Sequence, residues 1–392
     1  MNRREILSGA APLIVSAQTA FGTQANSAAS FGIIGTGNRG IYVGGFMAGD
    51  KNARLAAICD KYPDRIDLGK SKIPGADKVP AYRDYRRLLD DKSLDAVLIS
   101  TPVHLHPEHL EAAVQVGKHV YCEKPAGADV AGCKKVLEIG DKADRGKTIQ
   151  FGFQQRYAPE YLTARDYVKS GRIGEMKLMM SYWVLGGLAS AQGQNIPPDR
   201  NEEDQSRNWA KWEKYSGGPL VEQDCHGIDT MNWFAGDIHP VKCTGSGGLR
   251  YQLRYGDWKT DHHNITFSYP NGVEGWLTSI KFTAGYRDVR EQFFGSKGMI
   301  ETSRKYYKLH APEGDWRHPN GDDLRDKSLI EKRDSAHEIT IDAVASFFKS
   351  IVEEKPCHTW KLAAESTLSA LMGRMAVHEK RGVAWDEILK SA

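Results

Sequence analysis

The sequence predicts an α/β chain in which an N-terminal doubly wound parallel sheet precedes an α+β domain with an open, mostly antiparallel sheet. Two observations carry this prediction. Between residues 30 and 153, short apolar strands alternate regularly with amphipathic helices, which is typical of a parallel sheet covered on both faces. After residue 153, strands follow one another with turn signals such as Pro270-Asn271-Gly272 between them, which indicates antiparallel pairing.

Composition is that of an ordinary globular protein large enough for two domains. The chain has 392 residues, of which 40% are hydrophobic and 26% charged, so each half can build its own core. The net charge of +3 without a basic stripe argues against a nucleic-acid partner. No apolar run approaches the ~20 residues of a permanent membrane span. The six cysteines form no C-x-x-C pair, which indicates buried thiols rather than a disulfide framework.

Residues 1–29 differ from the rest of the chain. Arg3-Arg4 is followed by a short apolar stretch, and Ser27-Ala28-Ala29 has the small-x-small pattern of a cleavage site. We interpret this segment as a twin-arginine export signal, with a basic N-terminal tail as the alternative. The expected location is therefore the periplasm or another compartment reached by that route.

The first strand runs into a glycine-rich turn that predicts a dinucleotide site. Gly35 permits the tight turn, Gly37 lets the backbone approach a pyrophosphate, and Gly40 lets the following helix pack on the strand. The N-terminus of that helix offers free N–H groups and partial positive charge to phosphates. The residues expected to bind the cofactor here are Gly35, Gly37, Asn38, Arg39 and Gly40.

The second strand ends in Asp60, twenty residues beyond Gly40. A carboxylate there accepts hydrogen bonds from an adenosine ribose and repels a 2′-phosphate, so NAD is favoured over NADP. Lys61 and Arg65 lie close by and leave NADP possible.

The remaining elements follow from periodicity and from glycine and proline boundaries. In the first domain (30–153, NAD(P)-binding) further strands are expected at 79–82, 94–100, 119–122 and 148–153, and helices at 62–72, 84–90, 107–116 and 130–142. In the second (154–392, for substrate and oligomerisation) helices are expected at 159–169, 225–234, 336–353 and 359–381, and strands at 176–184, 241–246, 264–269, 273–282, 289–294 and 299–302. Residues 186–218 lack periodicity and are predicted to form a long surface loop.

Thr101 and Pro102 follow a buried strand and stand where ligands bind in open α/β sheets, with His104 and His106 just beyond. We expect all four to contact the cofactor. A metal site that also includes His109 is the alternative, but the H-x-H-x-x-H spacing matches no recognised zinc pattern, so no metal is predicted.

Glu123-Lys124-Pro125 follows the next strand along the chain. Pro125 stiffens the turn and restricts the residue before it, which would hold Lys124 beside the nicotinamide of a cofactor docked on the glycine turn. Glu123 is counted with the cofactor-binding residues. The alternative is an ordinary surface ion pair.

A third cluster lies on the predicted helix at 225–234 and the residues just before it. His226 shares a face with Asp229 and Thr230, and an imidazole can take a hydroxyl proton as hydride leaves. We expect Glu222 or Asp224 to raise the pKa of His226 and to fix its tautomer. A helix-cap cluster with a structural histidine is the alternative.

Together, in this order and spacing, the glycine turn, Thr101-Pro102, Glu123-Lys124-Pro125 and His226 resemble the Gfo/Idh/MocA oxidoreductase family. The resemblance implies a Rossmann domain, a C-terminal domain with an open sheet, NAD or NADP, sugar-like substrates, and a homo-dimer or homo-tetramer. Lys124 matches the family's E-K-P lysine and His226 its substrate-contacting histidine. Glu222 departs from the pattern, because many members carry Asp four residues before that histidine.

The leading hypothesis is therefore an NAD-dependent dehydrogenase of a sugar or cyclitol, with Lys124, His226, Glu222 and Asp224 as catalytic candidates. Two alternatives are a redox-neutral NAD-dependent glycosidase or lyase and a non-catalytic sugar-binding protein. If the enzyme is exported, it cannot draw on a free NAD pool, so a tightly bound cofactor in a closed redox cycle is expected. The residues expected to bind substrate are Arg156, Trp183 and Asp229, with Trp209 and Trp212 as further stacking candidates.

Overall fold

A computed structural model describes residues 28–185, 201–250, 256–283, 285–311 and 328–391. Nearly all of the segment interpreted as an export signal, and residues 186–200 of the expected loop, lie outside these ranges. Within them the chain forms two sheets, one of six strands and one of nine.

The six-stranded sheet is parallel throughout, with the strand order β3-β2-β1-β4-β5-β6. The order reverses between β1 and β4, and ligands of doubly wound sheets bind beyond the carboxyl ends of the strands at such a point. The predicted parallel sheet is confirmed. Its strands are β1 (Ala29–Ile34), β2 (Ala53–Cys59), β3 (Ala81–Tyr82), β4 (Ala96–Ile99), β5 (His119–Cys122) and β6 (Ile149–Phe151). Its helices are α1 (Asn38–Ala48), α2 (Pro63–Lys72), α3 (Tyr85–Leu89), α4 (His106–Gln115) and α5 (Val130–Lys142).

The nine-stranded sheet has the order β14-β13-β12-β11-β7-β10-β9-β8-β15. Only the β7–β10 pair is parallel among the strand pairs described, so the mostly antiparallel prediction is confirmed. Its strands are β7 (Met176–Leu185), β8 (Lys242–Gly248), β9 (His262–Ser268), β10 (Glu274–Ile280), β11 (Arg287–Gly295), β12 (Met299–Ser303), β13 (Tyr306–His310), β14 (Leu329–Asp334) and β15 (Val383–Ala384). The sequence did not predict β13, β14 or β15.

Helices of the second half begin with α6 before the sheet and end with two long helices and a short one. They are α6 (Pro159–Lys169), α7 (Glu202–Arg207), α8 (Glu213–Ser216), α9 (Cys225–Phe234), α10 (Ile339–Val352), α11 (Trp360–Glu379) and α12 (Trp385–Lys390). None of the helices described is both long and apolar enough to cross a lipid bilayer. All six cysteines are free thiols, and five of them are buried.

The expectation of an irregular loop was wrong for residues 201–218, which form α7, α8 and a 3₁₀ turn between them. The Asn201 side chain caps α7 by accepting a hydrogen bond from the Asp204 N–H. Helices this short fall below the length at which hydrophobic periodicity can be recognised. They also depend on contacts with other parts of the chain, because isolated helices of this length are unstable in water.

One face of the large sheet is buried and the other is open. Phe267, Leu277 and Phe293 lie in the core together with residues of α9 and α11. On the opposite face Trp276 of β10 is 41% exposed, so an aromatic side chain stands on an uncovered sheet surface.

Helix α10 connects the two halves of the sequence, because it packs on the first sheet although it lies near the end of the chain. Its Phe347 and Phe348 are fully buried in the same cluster as Phe31 and Ile33 of β1. The Phe31 and Phe348 rings lie 5.4 Å apart. The core of the first domain therefore includes a helix from the C-terminal part of the chain.

Candidate active site

The glycine turn has the geometry of a phosphate cradle. Gly35 adopts φ +98°, and a Cβ atom there would lie 2.7 Å from the Ser100 carbonyl oxygen. A Cβ atom at Gly40 would lie 1.9 Å from the Gly35 oxygen, whereas nothing lies within 4 Å of one at Gly37. Two glycines therefore close the turn and the third leaves its backbone open, directly before the N-terminus of α1. This arrangement fits the pyrophosphate of a dinucleotide.

Asp60 is fixed at the carboxyl end of β2 by backbone hydrogen bonds. Its Oδ2 accepts from the Thr36 N–H at 2.8 Å and its Oδ1 from the Tyr62 N–H at 3.0 Å. Because an ionised carboxylate has about four acceptor positions, it can still accept from ribose hydroxyls.

The histidines after β4 do not all face the place where a cofactor would lie. His106 is buried, with Nδ1 2.8 Å from the Pro125 oxygen and Nε2 3.0 Å from the Thr101 oxygen; a neutral imidazole donates through only one of them. We therefore correct its assignment: His106 ties the loop after β4 to the loop after β5. His104 packs on the Tyr215 ring, with the centroids 4.6 Å apart.

The alternative of a metal site has no support in the geometry. His109 Nδ1 pairs with the Thr101 hydroxyl at 3.0 Å. Across the described ranges, no group of three or more His, Cys, Asp or Glu side chains is arranged to hold a metal ion.

Glu123 and Lys124 each reach a different partner, so they are not a surface ion pair with each other. Glu123 is buried, and its Oε1 lies 2.9 Å from Nη2 of Arg39. The Lys124 Nζ donates to the carbonyl oxygen of Glu222 and lies 3.3 Å from its carboxylate Oε1. The Lys124–Pro125 peptide bond is cis. Lys124 thus joins the end of β5 to the segment that leads into α9.

The environment of Lys124 keeps it charged. Burial is the largest single effect and lowers the pKa of the ammonium group, but Glu222, Cys225 and Glu123 together outweigh it, and the net direction is upward. The candidate site therefore contains a positive charge, which Glu222 holds in place.

Close packing of α9 on β7 places His226. A Cβ atom at Gly227 would lie 2.0 Å from the Ser181 Oγ, so glycine is needed where the helix meets the strand. Next to it, the His226 ring stacks on Trp183 with centroids 5.3 Å apart and planes 7° from parallel. The Phe153 ring meets the imidazole edge-on. The His226 Nδ1 is buried and has no hydrogen-bond partner among the described residues.

The expected rise in the pKa of His226 was wrong. Burial lowers the pKa of the imidazole well below its usual value, and the charges of Lys124, Arg304 and Arg39 act in the same direction. No carboxylate contacts the ring among the described residues, because Glu222 pairs with Lys124. His226 is therefore a neutral base at physiological pH.

Asp224 is also not the partner of His226 that we expected. It is fully buried and forms an ion pair with Lys281 of the segment after β10. Its Oδ2 lies 3.4 Å from Nδ1 of His263. We correct its role from catalytic to structural: it anchors the π-helical turn Leu220–Asp224 that precedes α9.

Arg156 and Asp229, expected to bind substrate, bind each other instead. The Arg156 Nε and Nη2 donate to the two carboxylate oxygens of Asp229 at 2.8 and 2.9 Å. Arg156 Nη1 donates to Asp237, and the Ser366 hydroxyl donates to Asp229, both at 2.8 Å. Both partners of the bidentate pair are nearly inaccessible, with 9% and 1% of their side-chain surface exposed. The pair is a structural clamp that holds α9 against the end of the first domain.

Trp183 contacts the candidate base rather than standing free for a sugar. It is 6% exposed and its Nε1 donates to the Gln223 Oε1 at 3.3 Å. The other stacking candidates are both half-buried: Trp209 is the first residue of the 3₁₀ turn before α8, and Trp212 follows that turn.

Sequence reasoning missed two features of this region. Arg304, in the turn between β12 and β13, places its guanidinium 5.5 Å from the centroid of Trp183. Arg207 of α7 reaches the first domain, where its guanidinium lies 3.8 Å above the Tyr62 ring and its Nη1 donates to both carboxylate oxygens of Asp64 at 3.1 and 3.0 Å. Neither residue belongs to a local sequence motif. The alternation of side chains along β12 was the only available signal for the face of the sheet on which Arg304 lies.

Comparison with known proteins agrees with this architecture. Residues 29–153 match the family model described as the oxidoreductase family with an NAD-binding Rossmann fold, and residues 161–301 match the GFO/IDH/MocA C-terminal domain. The chain is 25% identical over 365 residues to myo-inositol 2-dehydrogenase of Thermotoga maritima, covering 91% of this chain and 99% of that protein. It is 31% identical over 287 residues to inositol 2-dehydrogenase 2 of Saccharopolyspora erythraea, covering 72% and 74%.

Two solved structures show the same fold at low identity. A scyllo-inositol dehydrogenase from Lactobacillus casei, solved with NAD(H) and scyllo-inositol, aligns with a TM-score of 0.68 at 20% identity over 92% of this chain and 99% of that one. A levoglucosan dehydrogenase solved with NADH and levoglucosan aligns with a TM-score of 0.74 at 19% identity over 91% and 99%.

Asp229 and Asp237 both pair with Arg156. Replacing each of them in turn tests whether Asp229 has a structural role. Asp229→Ala leaves a buried guanidinium without its bidentate partner and is expected to lower the free energy of unfolding by about 3 kcal/mol. Asp237→Ala removes a partly exposed partner and is expected to cost about 1 kcal/mol or less. Urea unfolding followed by tryptophan fluorescence measures both. Equal losses, or a fully stable Asp229→Ala protein, would contradict the clamp.

Proposed function

The chain belongs to the Gfo/Idh/MocA family of NAD-binding oxidoreductases, and from that premise we propose that it oxidises a secondary alcohol of a sugar or cyclitol. The observation that carries the proposal is the pairing of a neutral, buried base with a charged ammonium group at the junction of the two domains. His226 has a free Nδ1 and a depressed pKa, and Lys124 stays charged. This is the combination that removal of a hydroxyl proton requires.

The proposed chemistry divides between the cofactor and these side chains. NAD, held by the glycine turn and Asp60, supplies the hydride acceptor when it is bound. His226 accepts the hydroxyl proton at its free ring nitrogen, because a neutral imidazole is ready to do so. Lys124 stabilises the negative charge that develops on the substrate oxygen. Glu222 holds the lysine in place through two contacts at its carbonyl and carboxylate.

The relatives support a polyol as substrate. Two relatives that cover more than two thirds of the chain are named as inositol dehydrogenases, and one of the solved structures of the same fold was obtained with levoglucosan. NAD is proposed over NADP because Asp60 holds a carboxylate where a 2′-phosphate would have to lie. Tighter binding of NADP than of NAD in a titration would reverse that choice.

We further propose that residues 201–218 slow the release of the cofactor. Arg207 grips Asp64 and Tyr62 just beyond the end of β2, and Tyr215 packs on His104 just beyond the end of β4. The segment therefore contacts both loops that flank the adenosine side of a doubly wound nucleotide site. Slow release is what a closed redox cycle needs, in which one substrate is oxidised and another is reduced on the same bound cofactor.

Export through the twin-arginine route is proposed from Arg3-Arg4 and the small-x-small pattern alone. A fluorescent fusion that carries residues 1–40 tests it, and cytoplasmic retention of the fusion would remove the reason for a closed cycle.

We also propose a homo-oligomer formed through the open face of the large sheet, with a second copy as its partner. Trp276 is exposed on this face in the single chain, and apolar sheet surfaces of this kind are usually buried by association.

The catalytic proposal predicts separate losses for the two central residues. Lys124→Ala should reduce NADH formation from an inositol and sugar panel by on the order of 100-fold or more, since it removes the charge that stabilises the oxyanion. His226→Gln should lose a similar factor because the base is gone. Lys135→Ala, which removes a lysine paired with Glu111 on the surface, is the matched control and should keep full activity.

Two outcomes would count against this assignment. Full turnover by Lys124→Ala would exclude the proposed role of the lysine. Release of an aryl alcohol from an aryl glycoside without net NADH would favour the redox-neutral reaction instead.

The retention proposal predicts faster cofactor release when the grip of Arg207 is removed. Arg207→Ala should raise the NAD dissociation rate by about 5-fold to 10-fold, which corresponds to about 1 kcal/mol for a partly exposed charged and cation–π contact. Arg87→Ala, an exposed arginine of the first domain, is the control. Stopped-flow displacement of bound NADH measures the rate. An unchanged rate would mean that the segment does not retain the cofactor.

The assembly proposal predicts that Trp276→Glu yields a monomer, because a buried unpaired carboxylate is costly at an apolar interface. Leu162→Glu on α6, which is equally exposed, should leave the assembly intact. Light scattering at micromolar concentration measures both masses. A wild-type protein that is already monomeric would refute the proposal.

A further inference from the structure

Arg304 lies on the inner face of the large sheet, although it belongs to a two-residue turn. Strand register places Ser181 opposite Glu291, and Glu291 opposite Thr302. Because side chains alternate between faces, Arg304, two residues after Thr302, lies on the same face. That face packs against the helix that carries His226.

On the same face, Arg304 and Trp183 occupy neighbouring positions across the strands, and Trp183 contacts the candidate base His226. Trp183 pairs with Val289, and Arg304 continues this row beyond β12. Its guanidinium stands 5.5 Å from the centroid of Trp183, whose ring stacks on His226. The charge of Arg304 is also one of those that lower the pKa of His226. Arg304 therefore reaches the candidate active site from the second domain.

Of the three cations that act on His226, Arg304 is the one without a carboxylate partner among the described residues. Lys124 has Glu222 and Arg39 has Glu123. The Nε of Arg304 is buried without a hydrogen-bond partner, and burial lowers the pKa of its guanidinium. Arg304 as a whole is half-buried, and a partly desolvated guanidinium with an unpaired nitrogen is unfavourable unless a counter-ion completes its environment.

Among the described residues, the two carboxyl groups whose charges act on Arg304 do not supply that counter-ion. Glu291 accepts a hydrogen bond from the Tyr161 hydroxyl at 2.8 Å, and burial raises the pKa of Glu291 to about 7, so it is only partly ionised at neutral pH. Glu338 caps α10 by accepting from the N–H and the hydroxyl of Thr340. Neither forms an ion pair with Arg304.

We propose that Arg304 binds a carboxylate of the substrate, so that the sugar or cyclitol oxidised here is an acid such as a uronate. The inference deepens the proposed function and rests on it for the reaction, but not for the binding. A guanidinium presents a planar pair of donors that matches a carboxylate in a bidentate fashion. Its guanidinium lies beside Trp183, whose ring stacks on His226, so the acid group would bind on the side of Trp183 where Arg304 stands while another carbon of the ring is oxidised.

Matched sugar pairs test the inference directly. Calorimetric titration of the NAD-loaded full chain compares D-glucuronate with D-glucose and D-galacturonate with D-galactose, which differ only at C6. We expect at least one uronate to bind on the order of 10-fold or more tightly than its neutral partner. Arg304→Gln should remove that difference and leave binding of the neutral sugar within about twofold, whereas Arg304→Lys should keep part of it. Lys305→Gln removes the same charge from an exposed position in the same turn and should change nothing.

Several results would overturn the inference. The first is that no uronate binds to the wild-type protein. The others are that Arg304→Gln weakens the binding of uronate and neutral sugar equally, or that it leaves uronate binding unchanged. Tighter binding of glucose 6-phosphate than of glucuronate would also overturn it, because the site would then prefer a phosphate. NADH formation is measured separately: a uronate that binds through Arg304 without producing NADH would leave this inference standing and contradict the proposed oxidation.

Discussion

The contact between Lys124 and Glu222 is the interaction on which the candidate site depends, because it joins the two domains at the place where chemistry is proposed. Lys124 follows β5 of the parallel sheet, and Glu222 lies in the π-helical turn before α9. Buried ion pairs add little net stability once desolvation is counted, but breaking one is costly. We therefore infer that the main effect of the pair is to position the charged ammonium group of Lys124 relative to His226. His226 lies one helical turn beyond Glu222.

The other buried charges around α9 follow the same logic and leave His226 neutral. Asp224 turns toward Lys281, and Asp229 turns toward Arg156. Each of these carboxylates, like Glu222, is thus paired with a cation other than an imidazolium at His226. Among the described residues, aromatic rings pack on the imidazole and the charges that act on it are positive. Burial is therefore the main cause of the downward shift in the pKa of His226, and the positive charges add to it.

The sequence was sufficient for features that are encoded locally. The glycine turn, the strand–helix alternation and the Glu123-Lys124-Pro125 loop were recognised because spacing and periodicity determine them within a few residues. The partners of Asp224 and Asp229 could not be predicted, because they lie 57 and 73 residues away in the sequence. The sign of the His226 shift depended on those partners. The helix at 336–353 was predicted, but its packing on the first sheet and the position of Arg304 were missed for the same reason, since packing across domains and strand register have no local signature.

A titration of the His226 ring tests the central claim most directly, namely that this site holds a neutral base beside a charged lysine. The wild-type protein, labelled with ¹⁵N in its histidines, can be followed by NMR from pH 8 downward, with His226→Gln identifying the resonance. The account predicts that His226 is still neutral at pH 6.5, the usual pKa of histidine, and takes up a proton only well below it. Replacing Lys124 with Met should move the pKa of His226 upward. A wild-type His226 that titrates at or above pH 6.5 would contradict the account.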